Sequence, residues 1–187
     1  IDTLRHRVSY DKLMVDLEGI HLSNEEIKDI NKVVLVGMGT SLHAAMVGRT
    51  WIEKLARIPA EADNSSEFRY RNPIIDEDTV VVAVSQSGET LDTLNATRES
   101  HQRGALTLGL VNVVGSTIAR ESDAGVYLRV GPEIGVASTK AFLGQVTVLA
   151  MLAIYMGRRR TLGPEETAEL LEAMEQLPEH LDRVLKQ

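Results

Sequence analysis

The 187-residue chain contains no cysteine. That excludes a disulfide, a thiolate zinc site and a thiol nucleophile, and it fits a cytoplasmic setting. Aromatic residues are scarce, at 4% with a single Trp, and 20 Lys+Arg face 27 Asp+Glu for a formal net charge of −7. Such a chain lacks both the cationic footprint and the stacking platform of a nucleic-acid binder. No apolar run reaches the roughly 20 residues of a membrane span. The best one, Ala141 to Met156, is interrupted by Gly144, Gln145 and Thr147. No signal-peptide pattern opens the chain, which starts at Ile1 rather than Met, as a processed or excised chain would. The remaining composition, 43% apolar and 25% charged, is that of one ordinary globular domain.

Short β-branched runs recur along the chain: Val33–Val36, a weak one at Ala60–Asp63, Thr79–Val84, Leu106–Val111 and Gly125–Val130. Three are continuously apolar, as strands covered on both faces are. Helical spacing fills the gaps. Leu42, Ala45, Met46, Ile52, Leu55 and Ala56 follow the first run, and Leu91, Leu94, Arg98 and His101 follow the third, with Gly104 as a stop. Ser116 to Glu121 reads as a short helix. Ala141 to Met156 is apolar nearly all round, which marks a buried helix or a subunit contact and points to a homodimer. Pro164 opens a last helix with Glu165 and Glu166 in its first turn, and Pro178 is expected to break or kink it. The alternation predicts an α/β fold, a doubly wound five-stranded parallel sheet in flavodoxin-like order 2-1-3-4-5 with helices on both faces. Residues 1–31 are expected to be a helical lead-in, with Ser23 and Glu26 as a capping box. Residues 32–160 are expected to be the domain proper, and 161–187 a C-terminal helical segment or linker.

Two turns carry unusual chemistry. The first strand runs into Gly37-Met38-Gly39-Thr40-Ser41, and the third into Ser85-Gln86-Ser87-Gly88-Glu89-Thr90, each followed by a helix. A helix start offers up to four unpaired N–H groups and about half a positive charge. Glycine admits close approach, and Ser or Thr hydroxyls can donate to phosphate oxygens without a fixed charge. Taken singly, each turn could be no more than a cap whose hydroxyls satisfy their own backbone. The pairing of the two, both past predicted central strands, favours an anion site. A dinucleotide fingerprint fits less well, because its third glycine position is Leu42, although Asp63 stands where a ribose acid would. No Gly-Lys-Ser/Thr follows a glycine-rich loop, so a P-loop is excluded. A third polar segment, Glu133 to Lys140, follows the last strand, with Ser138 as the expected cap of the next helix.

GMGTS, SSEFRYR, SQSGET and EIGVASTKA, in this order and spacing, closely resemble the sugar isomerase (SIS) domain, and within it the first isomerase lobe of the glutamine–fructose-6-phosphate aminotransferases. The resemblance runs from about Val33 to Tyr155. SQSGET marks only phosphosugar binding; SSEFRYR with EIGVASTKA is far more specific. The resemblance implies that Ser85, Gln86, Ser87 and Thr90 hold the sugar phosphate with Ser41 and Thr40, and that Val136 and Ser138 contact the sugar. It implies fructose 6-phosphate, glucose 6-phosphate or glucosamine 6-phosphate as ligand, and no cofactor. Met38 departs from a frequent family cysteine. The family's proton-shuttling glutamate, ring-opening histidine and ketose-reacting lysine all lie outside this lobe, so no catalytic residue is expected here. A stand-alone phosphosugar-sensing module is the alternative.

Within the chain, aldose–ketose chemistry would need a base near carbons 1 and 2. Glu89, at a helix start, reads as a dipole-favoured surface acid, and Glu133 as a solvated loop carboxylate. His43 has no visible partner, and Lys140 near a helix start is not set up as a desolvated nucleophile. Arg69, Tyr70 and Arg71 read as a structural patch. His6, His21, His101 and His180 show no metal-ligand spacing.

Overall fold

The computed structural model describes residues 2–135 and 138–186. The chain opens with β1 (Val8–Ser9) and β2 (Met14–Val15), a short antiparallel pair, then α1 (Asn24–Asp29). There follow β3 (Lys32–Gly37), α2 (Thr40–Trp51), β4 (Ala60–Asn64), α3 (Ser65–Phe68), β5 (Thr79–Ser85), α4 (Leu91–Gln102), β6 (Leu106–Val111), α5 (Thr117–Glu121) and β7 (Ala124–Tyr127). Two long helices close it: α6 (Lys140–Arg158) and α7 (Pro164–Leu185). A π-helical turn, Ile52–Ala56, extends α2.

Strands β4-β3-β5-β6-β7 form one sheet, all neighbours parallel, with Val36 opposite Ala83 and Val84 opposite Leu110. Counting the five strands in chain order, this is 2-1-3-4-5, the flavodoxin-like order expected above. The period of two along each strand sorts its side chains onto two faces. Val33, Leu35, Val80, Val82 and Leu108 pack with α2 and α6; Val34, Val36, Val81, Ala83 and Val111 pack with Phe68 of α3, Leu94 of α4 and Ile118 of α5. Both faces are therefore covered, which is why β3 and β5 carry apolar residues without alternation. Each fully buried Val or Leu stabilises the fold by about 1.5–3 kcal/mol.

Three expectations are revised. The lead-in is not mainly helical; α1, with its Ser23/Glu26 capping box present, is its one helix among the described residues. The segment instead runs along the outer edge of β7, where buried Arg7 donates to the Thr3 carbonyl at 3.1 Å and the Tyr127 carbonyl at 2.7 Å. The last strand stops at Tyr127 rather than Val130, because Arg129 turns the backbone to φ 56°. Pro178 does not end α7, which continues to Leu185. The proline withholds one intrahelical N–H donor, at a position the helix tolerates near its exposed half. Most of the apolar surface of α6 is spent inside the chain, where Val148, Leu149 and Met151 to Gly157 are buried and the helix packs on α2, β2 and α7, while Leu143 stays 45% exposed, so burial within the chain accounts for most, not all, of its apolar circumference.

Gly48 sets the α2–α6 distance. A Cβ there would lie 2.9 Å from Leu149 Cδ1, so only glycine lets the two helices approach this closely. That contact has a consequence at the strand tips.

Candidate functional site

β3 and β5 are neighbours, so their carboxyl ends lie about 4.8 Å apart, one strand spacing. The Gly37–Ser41 turn leaves one tip and the Ser85–Thr90 turn leaves the other. The structure thus brings the two hydroxyl-bearing turns together at the switch point of the sheet, where doubly wound folds bind ligands.

In the first turn Gly39 is the N-cap of α2, with φ 56°, and no side chain caps the helix. The Ser41 N–H donates to the Met38 carbonyl at 3.1 Å, and the Leu42 N–H to the Gly39 carbonyl at 3.1 Å. The helix start therefore offers fewer free amides than the four expected from an ideal terminus, because its first turn is tightened. The hydroxyls matter more. Ser41 is buried, and its Oγ accepts from Nε2 of Gln145, on α6, at 2.9 Å. Thr40 is half-buried beside it.

In the second turn Ser85 is the buried last residue of β5. Its Oγ accepts the Gly88 N–H at 3.0 Å and lies 3.2 Å from the Thr90 hydroxyl. Ser87 Oγ accepts the Glu89 N–H at 3.1 Å. The capping alternative thus holds in part: these hydroxyls satisfy loop amides. Yet a hydroxyl that accepts an N–H keeps its own proton. Ser87 has one to give, and so does one member of the Ser85–Thr90 pair, whichever donates to the other. Thr90, the N-cap of α4, makes no side-chain capping bond. Gln86 is half-buried, and its carbonyl accepts the Asn112 N–H at 3.0 Å. The turns form a cluster of neutral donors with no Lys or Arg in either sequence.

The third segment approaches through Asn112, just past β6. Its side chain donates to the Gly131 carbonyl at 2.8 Å and accepts the Val130 N–H at 3.1 Å, tying the loop after β7 to the β5 turn. Ser138 is half-buried in that loop but is not the cap of α6. Thr139 holds the N-cap position without a side-chain bond, and Glu133 reaches forward instead to accept the Ala141 N–H at 3.0 Å. Val136 lies outside the described residues.

Both carboxylates weighed for chemistry are engaged elsewhere. Glu89 takes the Thr117 hydroxyl and N–H, each at 2.7 Å, and these bonds hold its carboxyl below the usual range. Glu133 caps α6. Asp63, the ribose-acid candidate, is ion-paired with Arg71, which also meets Glu61 at 3.1 Å. His43 and Lys140 are exposed on their helices. Sequence reading missed Gln145 and Asn112. The one visible signal was a carboxamide in the middle of an otherwise apolar helix, and an Asn directly after a strand.

Two cavities lie beside the helices and the lead-in. One, of about 930 Å³, is an apolar groove between α6 and α7 lined by Trp51, Leu143, Ala150, Leu170, Leu177 and Leu181. The other, of about 630 Å³, sits against the lead-in beside Arg7, His21 and Tyr155. Neither includes Ser41, Ser85 or Ser87.

The SIS domain model matches residues 26–155. A glutamine–fructose-6-phosphate aminotransferase (isomerizing) of Chlorobaculum tepidum is 47% identical over 186 residues, covering 100% of this chain and 30% of that protein. The enzyme of the same name from Symbiobacterium thermophilum is 48% identical over 185 residues, covering 98% and 30%. Among solved structures, the C-terminal domain of glucosamine-fructose-6-phosphate aminotransferase from Francisella tularensis superposes with a TM-score of 0.85 at 32% identity, covering 93% of this chain and 49% of that one. The chain thus spans about 30% of the length of the curated relatives it matches.

Proposed function

Because the chain belongs to the SIS domain family, we propose that it is the phosphosugar-binding lobe of an isomerising glutamine–fructose-6-phosphate aminotransferase. In this reading it binds fructose 6-phosphate, and glucosamine 6-phosphate as product, through Thr40, Ser41, Ser85, Gln86, Ser87 and Thr90. In the same reading Ser138 and Val136 are the residues that contact the sugar. The observation that carries the reading is the adjacency of two uncapped helix starts, α2 and α4, at neighbouring strand tips with unspent hydroxyl protons around them. A monoester dianion needs several donors converging on one point, and neutral hydroxyls supply them without a fixed charge.

The chain supplies binding and orientation. Glu89 and Glu133 are held by helix starts, so proton transfer between carbons 1 and 2 falls to groups from the rest of the enzyme. With no cysteine, the chain offers no thiol to release ammonia from glutamine. The parent enzyme's setting is cytoplasmic, and amino-sugar synthesis is its role.

Isothermal titration of the chain with glucose 6-phosphate, fructose 6-phosphate and inorganic phosphate tests this. Saturable binding is expected, weakened about tenfold in Ser87→Ala, the loss of one hydrogen bond to a charged group. Absence of binding at millimolar ligand, or a Ser87→Ala variant that binds as wild type, would overturn it.

A further inference from the structure

We infer that Gln145 is a positioning residue for the phosphate, orienting the Ser41 hydroxyl so that its proton faces the anion. The inference rests on the phosphosugar reading above and adds a residue that none of the binding motifs contains.

Gln145 is fully buried in α6, where its neighbours toward α2 are apolar: Val148, Leu149 and Leu152. Burying a carboxamide is costly unless both of its polar atoms are paired. Here only one is. Nε2 donates to Ser41 Oγ at 2.9 Å, while Oε1 is buried with no partner among the described residues. An aliphatic side chain would pack as well and leave no orphan acceptor, so the packing of α6 gives no reason for glutamine at this position. The Ser41 bond gives one.

A serine hydroxyl has one proton and two lone pairs. The Ser41 N–H is already committed to the Met38 carbonyl. Once Gln145 occupies an Oγ lone pair, the hydroxyl keeps its proton as a donor for the tip of β3. An anion there meets a donor. Were the amide turned over, Oε1 would take the Ser41 proton, and lone pairs would face the phosphate instead. Gln145 thus sets the polarity of one hydroxyl in the cradle. The close α2–α6 contact at Gly48 holds the two residues within reach.

A double-mutant cycle on the chain tests this, with glucose 6-phosphate and inorganic phosphate as titrants and unfolding midpoints measured in parallel. Ser41→Ala and Gln145→Met are each expected to weaken binding about five- to tenfold, the scale of one charge-assisted hydrogen bond. The double variant should bind no worse than Ser41→Ala alone, because without the hydroxyl there is nothing to orient. Gln145→Glu, whose ionised carboxylate can only accept and adds a negative charge, should bind more weakly than Gln145→Met when titrated at a pH high enough to ionise it. Additive losses in the cycle would show that Gln145 acts through general packing and would overturn the inference. So would a Gln145→Glu variant that binds as wild type. Should Gln145→Glu fail to fold, the Gln145→Met cycle alone decides. If Ser87→Ala leaves binding unchanged, the phosphosugar reading itself fails, which is a separate outcome.

Discussion

At the residue scale the site depends on what each hydroxyl does with its single proton. Ser85 and Ser87 accept loop amides and so shape the turn that carries them. Gly88 is the residue this turn cannot replace. Its φ is 65°, and a Cβ would sit 2.1 Å from Ser116 Oγ and 2.6 Å from Ser116 Cβ. Gly88→Ala therefore combines left-handed backbone strain with a collision against the residue that precedes α5. A loss of at least about 2 kcal/mol in urea unfolding is expected. Phosphosugar binding should fall with it, since the Gly88 N–H to Ser85 bond fixes the turn. The glycine and the hydroxyls were legible in SQSGET as a pattern. Which proton is spent on the protein and which is free was not, because that depends on partners the pattern does not name.

At the element scale, helices and strands are joined by side chains at their ends. Asp123, just before β7, accepts the Thr107 N–H at 2.8 Å and its hydroxyl at 2.7 Å, and its other oxygen lies 3.2 Å from His101 Nδ1 on α4. Burial by itself would raise the carboxyl's pKa; the Thr107 bonds and His101 outweigh it and hold it below the ordinary 3.8. The folded value is depressed, so the stabilisation is complete above about 3.8 and is lost as pH falls through the lowered value. Asp123→Asn should cost about 1–2 kcal/mol at neutral pH, the scale of a charged hydrogen bond. It should also flatten the acid limb of a stability-versus-pH curve from urea titrations; an unchanged limb would refute the assignment. The same scale explains the three interruptions read in the apolar α6. Gly144 admits Val130, whose Cγ1 would lie 2.5 Å from a Cβ; Gln145 reaches Ser41; Thr147 returns its hydroxyl to the Leu143 carbonyl at 2.8 Å. Read along the chain they look like flaws in a buried helix. Each is a contact.

Over the whole molecule, burial is unevenly distributed along α7. Leu171 and Met174 are in the core, while Leu181 is 40% and Leu185 84% exposed. Leu171→Ala should cost about 2–5 kcal/mol. Leu185→Ala should fall within about 0.5 kcal/mol, as surface changes do. Denaturant unfolding of both variants checks this, and a large cost at Leu185 would mean that the helix end is covered in solution. The sheet, by contrast, is covered on both faces, and this left its mark on the sequence as continuous Val and Leu runs.

What the amino-acid order determined alone was everything set by near neighbours along the chain: strand and helix alternation, the Ser23/Glu26 capping box and the glycine–hydroxyl turns. These follow from periodicity, turn chemistry and the short reach of backbone bonds. It missed the end of β7, the make-up of the lead-in and the cap of α6, where Arg129, Arg7 and Glu133 intervene. Only the tertiary structure decided that Ser41 meets Gln145 across 104 positions. It also decided that Asn112 ties three loops and that Glu89 and Glu133 serve helix starts. A hydrogen bond needs its partner within about 3 Å, and which residues come that close is decided by how helices pack on the sheet.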